Sequence, residues 1–320
     1  MPLLRRLIPD HFILILVATV TVATLLPLRG RALDMIGWIS NAAIFLLFFL
    51  HGARLSRDAV IDGLTRWRLL LAVLGFGYLL FPMVGLGLSH ALGGWIAPEL
   101  LLGIIFLTVL PTTVQSSIAY ASIARGNIAA SVIAAAAANL LGVVLTPLLF
   151  AAVASSAFGA VSFGGVGRIA LLLLLPFALG QVLRAPIQPA LQRHARLAGM
   201  MDKLTIVIAV FVAFSDAAAE GLWNRISAAE LGWLALIVLL LLLAAFAAAW
   251  AIGGALGFSR EDRITLLFSG AHKSLATGAP MARILFPAAI AGAVILPLML
   301  YHQMQLMLSA VISARLAKRD

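Results

Sequence analysis

The chain has 320 residues, of which 63% are hydrophobic and 11% charged, and its mean hydropathy is +1.11. A soluble domain is about 45–50% apolar and about 25% charged, so a water-soluble fold of this size could not bury so much apolar surface. The net charge of +10 does not indicate a nucleic-acid partner, because the basic residues lie in short breaks between apolar runs, as in cytoplasmic loops. With no cysteine, the chain has neither disulfides nor thiolate metal sites. The composition predicts an integral membrane protein that contacts the lipid bilayer along its whole length.

Apolar segments long enough to cross a bilayer, about 20 residues each, recur along the chain. Ten spans are predicted, at residues 11–29, 34–53, 67–93, 98–124, 127–154, 166–184, 201–219, 230–257, 262–285 and 287–314. The first follows Arg5 and Arg6 and superficially resembles a secretory signal. Its apolar run is longer than that of a typical signal, and no small-residue cleavage site follows. We therefore predict that it is a retained span.

The distribution of lysine and arginine predicts the orientation, because cytoplasmic loops carry the excess of these residues. With the N-terminus inside, only five of the 22 lysines and arginines fall outside: Arg29, Arg31, Arg168, Arg225 and Arg283. Lys273 lies within a span, and the remaining sixteen fall inside. Both termini are therefore predicted to be cytoplasmic.

The fourth and ninth spans are polar in the middle and contain Pro or Gly. One includes the stretch from Leu110 to Ser117 and the other the stretch from Ser269 to Pro280. Irregular backbone at membrane depth is tolerated only where it is buried in protein or lines a wet cavity. The two spans hold matching places in successive groups of five, which predicts repeats of opposite orientation over residues 1–160 and 161–320. Inverted repeats with matching broken helices are typical of secondary transporters.

Lys273 is the strongest single signal, because a lysine near a span centre costs from about 2.5 to over 10 kcal/mol and usually marks a substrate or ion pathway. The alternative is that its side chain snorkels to a membrane surface. His272 is open to two interpretations. It could have a functional role, as a proton relay or a substrate contact, or it could be a structural hydrogen-bond partner. His302 and Gln305, in the tenth span, are similar.

The polar residues around the fourth-span break have alternatives of their own. Gln115, Ser116 and Ser117 could offer oxygens to a ligand, or the hydroxyls could bond back to their own kinked helix. For Asn139 and Asn41, interhelical hydrogen bonding is favoured over a functional role.

Enzyme signatures are missing from the sequence, including HExxH, GxSxG, a P-loop and an acidic pair within a span. The glycine pairs Gly75/Gly77 and Gly85/Gly87 lie in an apolar span without a nucleotide-binding context. We interpret them as positions of close helix packing.

Four stretches resemble the bile acid:sodium symporter superfamily, and in particular its branch of solute carrier family 10 member 7-like proteins, over essentially the whole chain. They run from Leu50 to Ser56, from Ala124 to Asn127, from Gly270 to Ala282 and from Leu300 to Gln305. The resemblance implies ten helices in two inverted five-helix repeats, with a core domain that contains crossed, broken fourth and ninth helices and a panel domain beside it. Substrate then lies between core and panel.

The resemblance also implies a site and a departure from it. Ser116, Ser117 and Ser131 match positions of sodium ligands, so that sodium or a proton is the candidate coupling ion and no other cofactor is expected. Sodium-coupled members carry a glutamate and a glutamine in the ninth helix, whereas the stretch from Phe268 to Lys273 has no carboxylate, and a threonine ligand is replaced by Ala135. A sodium ion about 4 Å from an ammonium would meet repulsion of roughly 4 kcal/mol at an effective dielectric of 20. Two hypotheses follow: Lys273 replaces sodium electrostatically, or it exchanges protons.

The predicted function is alternating-access transport of a small organic anion across a bacterial inner membrane, by a multi-pass protein that is not an enzyme. The competing prediction is a non-transporting membrane regulator or scaffold of the same fold. The predicted substrate- or ion-binding residues are Thr112, Thr113, Gln115, Ser116, Ser117, Ser131, Asn139, His272, Lys273, Ser274, Thr277, His302 and Gln305. Substrate identity and oligomeric state do not follow from the sequence.

Overall fold

The computed structural model describes residues 11–54, 66–158 and 163–318, and the regular structure in these ranges is entirely helical. The helices are α1 (His11–Leu25), α2 (Arg31–Arg54), α3 (Trp67–Leu92), α4 (Pro98–Val109), α5 (Val114–Ile123), α6 (Ile128–Phe158), α7 (Phe163–Val182), α8 (Arg184–Arg193), α9 (Ala195–Ala219), α10 (Leu222–Arg225), α11 (Ala228–Ala255), α12 (Arg260–Ala271), α13 (Leu275–Leu285) and α14 (Ala288–Leu316). The predicted all-helical class is confirmed for this part of the chain.

Six helices, α2, α3, α6, α9, α11 and α14, are long and apolar enough to cross a membrane, and α4 with α5 makes a seventh unit that is bent by 60°. The composition favours helices because a bilayer offers no water to the backbone, so each span must satisfy its own N–H and C=O groups. The 28 residues of α11 extend about 42 Å at about 1.5 Å per residue, more than the hydrocarbon thickness of about 30 Å. The chain is a multi-pass membrane protein.

Two of the long apolar runs begin at polar caps. Ser227 and Glu230 form a reciprocal capping box at the start of α11, and the Ser259 hydroxyl accepts a hydrogen bond of 3.2 Å from the Asp262 N–H at the start of α12. These side chains satisfy N–H groups that have no partner within the helix. They explain why both helices start a few residues before the apolar runs predicted from residues 230 and 262.

The connection between the predicted sixth and seventh spans differs from the expectation. The span limits predicted a loop between residues 184 and 201, whereas the structure has the separate helix α8 there and an early start of α9 at Ala195. None of the residues of α8 is buried. Hydropathy alone missed this helix because its exposed polar residues lack the long apolar run that marks a span.

Both predicted breaks are present. The chain leaves the helical conformation at Leu110, whose φ and ψ are −74° and 151°, because the following Pro111 disfavours the α conformation at the residue before it. It leaves it again at His272, with φ −70° and ψ 147°, and α13 begins after Ser274. Four short half-helices, α4, α5, α12 and α13, therefore end inside the protein.

The helices pack in two groups. In the four-helix group (α1, α2, α7 and α9), α7 packs against α2, while α9 packs against α1 and α2. Gly52 and Gly180 permit the closest approach in this group, because a Cβ atom at either residue would overlap a backbone carbonyl of the facing helix. The break group (α3–α6 and α11–α14) contains both breaks, and it meets α9 through α13 and α14. The candidate site lies where the two groups face each other.

Candidate functional site

The two breaks are hydrogen-bonded to each other. The Ser274 N–H donates to the Pro111 carbonyl at 2.9 Å, and the Thr113 hydroxyl donates to the Lys273 carbonyl at 3.0 Å. Thr113, Lys273 and Ser274 are all buried. Backbone groups that the breaks leave without helical partners thus find partners in the opposite break, which lowers the cost of irregular chain inside a membrane protein.

Asn139 links the two breaks from α6. Its side-chain amide donates to the Thr112 carbonyl at 2.9 Å, and its carbonyl oxygen accepts from the Thr277 hydroxyl at 3.2 Å. The Ser274 hydroxyl in turn accepts from the Thr277 N–H at 3.2 Å and caps α13. Asn139 therefore makes the interhelical hydrogen bonds that the sequence favoured, and these bonds fix the relative position of the half-helices.

Gln305, on α14, holds the second break. Its side-chain oxygen accepts from the Lys273 N–H at 2.8 Å, and its side-chain nitrogen donates to the Lys273 carbonyl at 3.0 Å. Its nitrogen also lies 2.9 Å from Nδ1 of His302. One buried amide thus replaces both backbone hydrogen bonds that Lys273 would make in a continuous helix.

The Lys273 ammonium is held inside the break group. Its Nζ donates to the carbonyls of Leu110 at 2.8 Å, Thr108 at 3.0 Å and Gly77 at 3.2 Å, and it lies 4.4 Å from the centre of the Phe81 ring. The residue is 1% exposed, so the alternative that Lys273 snorkels to a membrane surface is wrong. Thr108 and Leu110 lie at the C-terminal end of α4, where unpaired carbonyls and the helix dipole favour a positive charge.

The carbonyl of Gly77 is available to Lys273 because α3 is irregular at that point. Residues Phe76–Leu80 form a π-helical segment within α3, and such segments are common at functional sites. A Cβ atom at Gly75 or Gly77 would meet nothing within 4 Å, and one at Gly85 would overlap Thr108. The interpretation of the four glycines as close-packing positions is correct for Gly85 and wrong for Gly75, Gly77 and Gly87, because a Cβ atom at Gly87 would also meet nothing within 4 Å.

His272 has a partner for each ring nitrogen. Nε2 lies 2.8 Å from the Ser309 hydroxyl and Nδ1 lies 3.1 Å from the Ser116 hydroxyl. The ring is fully buried and makes edge contacts with Tyr120, Phe246 and Phe268. These contacts are those of a structural hydrogen-bond partner that joins α5 to α14.

The three serines that match sodium ligands have separate partners. Ser117 donates to the carbonyls of Thr113 and Val114 on its own helix segment, as the back-bonding alternative describes. Ser116 contacts His272, and the Ser131 hydroxyl lies 3.2 Å from that of Thr265. No hydrogen bond among the described residues joins Ser131 to Ser116 or Ser117. In the same ranges, no group of three His, Asp or Glu residues could hold a metal ion.

A cavity of about 640 Å³ lies between the four-helix group and the break group. Seven predicted site residues line it: Thr113, Gln115, Ser116, Asn139, Ser274, Thr277 and His302. Six others do not, although they support the breaks or their surroundings: Thr112, Ser117, Ser131, His272, Lys273 and Gln305. Phe48, Phe177, Leu140 and Ile206 contribute apolar walls. The cavity can therefore hold a small molecule with both polar and apolar parts.

The sequence analysis missed the charged residues of this cavity. Arg54 at the end of α2 and Asp202 and Lys203 near the start of α9 all line it. Arg54 Nη1 lies 2.6 Å from Asp202 Oδ2, and the Arg54 side chain is 31% exposed. In the sequence, Arg54 contributed to the predicted orientation and to one of the four stretches of resemblance, but no local pattern relates it to a carboxylate 148 positions away.

Comparison with known proteins shows the family to which the chain is similar. The model of the SBF-like CPA transporter family matches residues 10–318. The chain is 46% identical to "Uncharacterized protein PA2026" of Pseudomonas aeruginosa, over 98% of this chain and 95% of the relative. It is 40% identical to "Putative symporter YfeH" of Escherichia coli, over 96% and 92%. It is 26% identical to "Sodium/bile acid cotransporter 7" of Danio rerio, over 98% and 95%.

These matches confirm the resemblance to the bile acid:sodium symporter superfamily and to its solute carrier family 10 member 7-like branch. They extend over both breaks and the whole cavity. On this evidence the chain is a membrane transporter and belongs to the SBF-like CPA transporter family.

Proposed function

We propose that the chain is a secondary transporter that carries a small organic anion by alternating access. The observation that supports this most directly is the cavity of about 640 Å³, which is lined by both breaks on one side and by the four-helix group on the other. A site between two helix groups can be exposed to either side of the membrane if the groups move relative to each other. The names of the relatives, one a symporter and one a cotransporter, favour the same class of function.

The proposed arrangement has ten spans in two inverted repeats, over residues 1–160 and 161–320. Counting α4 with α5 as one span and α12 with α13 as another, and including α1 and α7, gives five spans before residue 161 and five after it. The breaks then occupy the fourth and ninth places. The four-helix group is the panel, and the break group is the core.

The proposed orientation places both termini in the cytoplasm of a bacterium and the protein in its inner membrane. Arg54 and Lys203 lie among the basic residues that the charge distribution assigns to the cytoplasmic side. Both line the cavity, and Arg54 is partly exposed. The cavity in this conformation therefore faces the cytoplasm.

We propose that the Lys273 ammonium takes the place of a resident coupling cation. It is already bonded to two backbone carbonyls at the first break and to the Gly77 carbonyl of α3, in a protein interior where a second cation would be repelled by several kcal/mol. The three serines that would ligate sodium have separate partners. These residues do not fit a bound sodium ion, so we expect anion transport that does not require sodium.

Counterflow into vesicles that contain the purified protein tests the proposal. Radiolabelled aromatic and aliphatic carboxylates are the substrates, with sodium or choline as the only added monovalent cation. We expect exchange of at least one anion at equal rates in both salts. Exchange that requires sodium would contradict the proposed role of Lys273. Failure to exchange any anion, with a membrane protein recovered in stable association, would favour the regulator instead.

A further inference from the structure

The charged residues of the cavity form a cluster that the sodium-site resemblance does not include. It consists of Arg54, Asp202 and Lys203, and we refer to it as the panel cluster. All three belong to the four-helix group, whereas the breaks belong to the break group. The panel cluster and the polar residues at the breaks therefore line the same cavity from different helix groups.

Hydrogen bonding within the panel cluster is incomplete. Arg54 Nη1 bonds to Asp202 Oδ2 at 2.6 Å, but Arg54 Nη2 and Asp202 Oδ1 are hidden from solvent and have no hydrogen-bond partner among residues 11–54, 66–158 and 163–318. A buried charged donor without a partner is costly, so such a group is normally satisfied by water or by a ligand. A guanidinium offers its nitrogens in a planar fork that matches a carboxylate.

The charge balance of the panel cluster indicates the charge of its ligand. Arg54 and Lys203 are cations and Asp202 is an anion, which leaves one net positive charge. The Lys203 ammonium lies 5.6 Å from the centre of the Phe12 ring and is not paired with Asp202 in the described structure. A monoanion would neutralise the cluster, whereas a dianion would leave an uncompensated negative charge in a partly buried site.

The contrast with Lys273 supports this assignment. The Lys273 ammonium is bonded to three carbonyls and does not line the cavity. Arg54 lines the cavity, and its side chain is 31% exposed. Of these two cations, Arg54 is the one that a molecule in the cavity can reach without disrupting the first break.

We infer that Arg54 binds the anionic head group of the transported molecule, that the molecule is a monoanion, and that Asp202 competes with it for the guanidinium. The apolar body of the molecule lies against the walls formed by Phe48, Phe177 and Ile206. This inference rests on the proposed transport of an organic anion, and it names the residue that carries specificity for charge.

Calorimetric titration of the purified full-length protein tests the inference with three probes of similar shape. They are 2-naphthoate, the neutral alcohol 2-naphthylmethanol and the dianion 2,6-naphthalenedicarboxylate. We expect the wild type to prefer the monoanion. A hydrogen bond to a charged group raises binding affinity by a factor of about ten or more. We therefore expect Arg54→Gln to bind naphthoate at least tenfold more weakly than the wild type, and Arg54→Lys to have an affinity between those of the wild type and Arg54→Gln. Asp202→Asn should bind it more tightly.

Arg66→Gln is the matched control. Arg66 also pairs with an aspartate, at 3.4 Å from Asp262, but it does not line this cavity. Its replacement should leave naphthoate affinity unchanged. Equal affinity of wild type and a folded Arg54→Gln variant would overturn the assignment while leaving anion transport intact. If Arg54→Gln does not fold, weaker naphthoate binding by Asp202→Asn would overturn it. Absence of anion binding by the wild type would instead contradict the proposed function itself.

Discussion

Replacement of Lys273 tests whether its ammonium acts as an internal cation. Lys273→Met removes the charge but keeps an apolar chain of similar length. The carbonyls of Leu110, Thr108 and Gly77 then lose their donor in a dry interior. An unsatisfied buried acceptor costs about 1–3 kcal/mol, and the loss is offset in part because no ammonium has to be desolvated. We expect Lys273→Met to lower the free energy of unfolding by about 2–4 kcal/mol.

Lys273→Ala also removes the ammonium, but its shorter side chain leaves an empty space beside the three carbonyls. The void adds to the destabilisation, so we expect a loss of about 3–5 kcal/mol in the absence of sodium. Carbonyl oxygens are ligands for hard cations, and the space admits an ion that the longer methionine side chain would exclude. Sodium at about thirty times its dissociation constant would return about 2 kcal/mol to the alanine variant and nothing to the methionine variant.

The measurement is equilibrium unfolding in mixed micelles, with sodium chloride compared with choline chloride at equal ionic strength. Lys203→Ala is the control, because Lys203 is exposed and its loss should change the free energy of unfolding by less than about 1 kcal/mol. Two results would refute the reasoning: stabilisation of the wild type by sodium, or equal responses of Lys273→Ala and Lys273→Met to sodium.

Three further predictions concern the amide that holds the second break, the helix contact in the panel and the direction of the cavity. Gln305→Leu should lower the free energy of unfolding by about 2–4 kcal/mol in the same assay, because it leaves the Lys273 N–H without its acceptor and removes one of the donors to the Lys273 carbonyl. Gln303→Leu is the control: the Gln303 side-chain oxygen has no partner within the described residues, so this change should alter the free energy of unfolding by less than about 1 kcal/mol. Gly52→Ala should abolish accumulation of folded protein, measured by gel filtration in detergent, because its Cβ would overlap a carbonyl of α7; Gly75→Ala, which meets nothing within 4 Å, should accumulate normally. The chain has no cysteine, so Ala310→Cys places a single thiol on the cavity wall. This thiol should react with a membrane-impermeant maleimide in inside-out vesicles and not in right-side-out cells. The reverse pattern would refute the proposed orientation.

Several features of the fold could be predicted without the structure because they depend on local composition. The apolar runs from residue 34 to 53 and from 230 to 257 became α2 and α11, since the cost of unpaired backbone in lipid forces such runs into helices. Pro111 and the polar stretch around Lys273 marked both breaks. The helix α8 was missed, because an exposed polar helix has no hydropathy signal.

The candidate site could be predicted only in part. The polar residues at the breaks include several that line the cavity, such as Ser116, Asn139 and Thr277. The direction of each side chain was beyond the sequence: Lys273 is polar and central, yet its ammonium points away from the cavity to the end of α4. The irregular turn that presents the Gly77 carbonyl lies in an apolar run and gives no polar signal.

By itself the sequence determined that this chain lies in a membrane, that it is helical, and where two of its helices are interrupted. Hydropathy and helix-breaking residues act over a few neighbours, so a linear sequence records them directly. Only the tertiary structure decided which polar groups at the breaks face the cavity and which are hydrogen-bonded inside the protein. Arg54 and Asp202 are 148 residues apart, and they meet because α2 packs against α9, a contact that depends on how all the helices of the panel fit together.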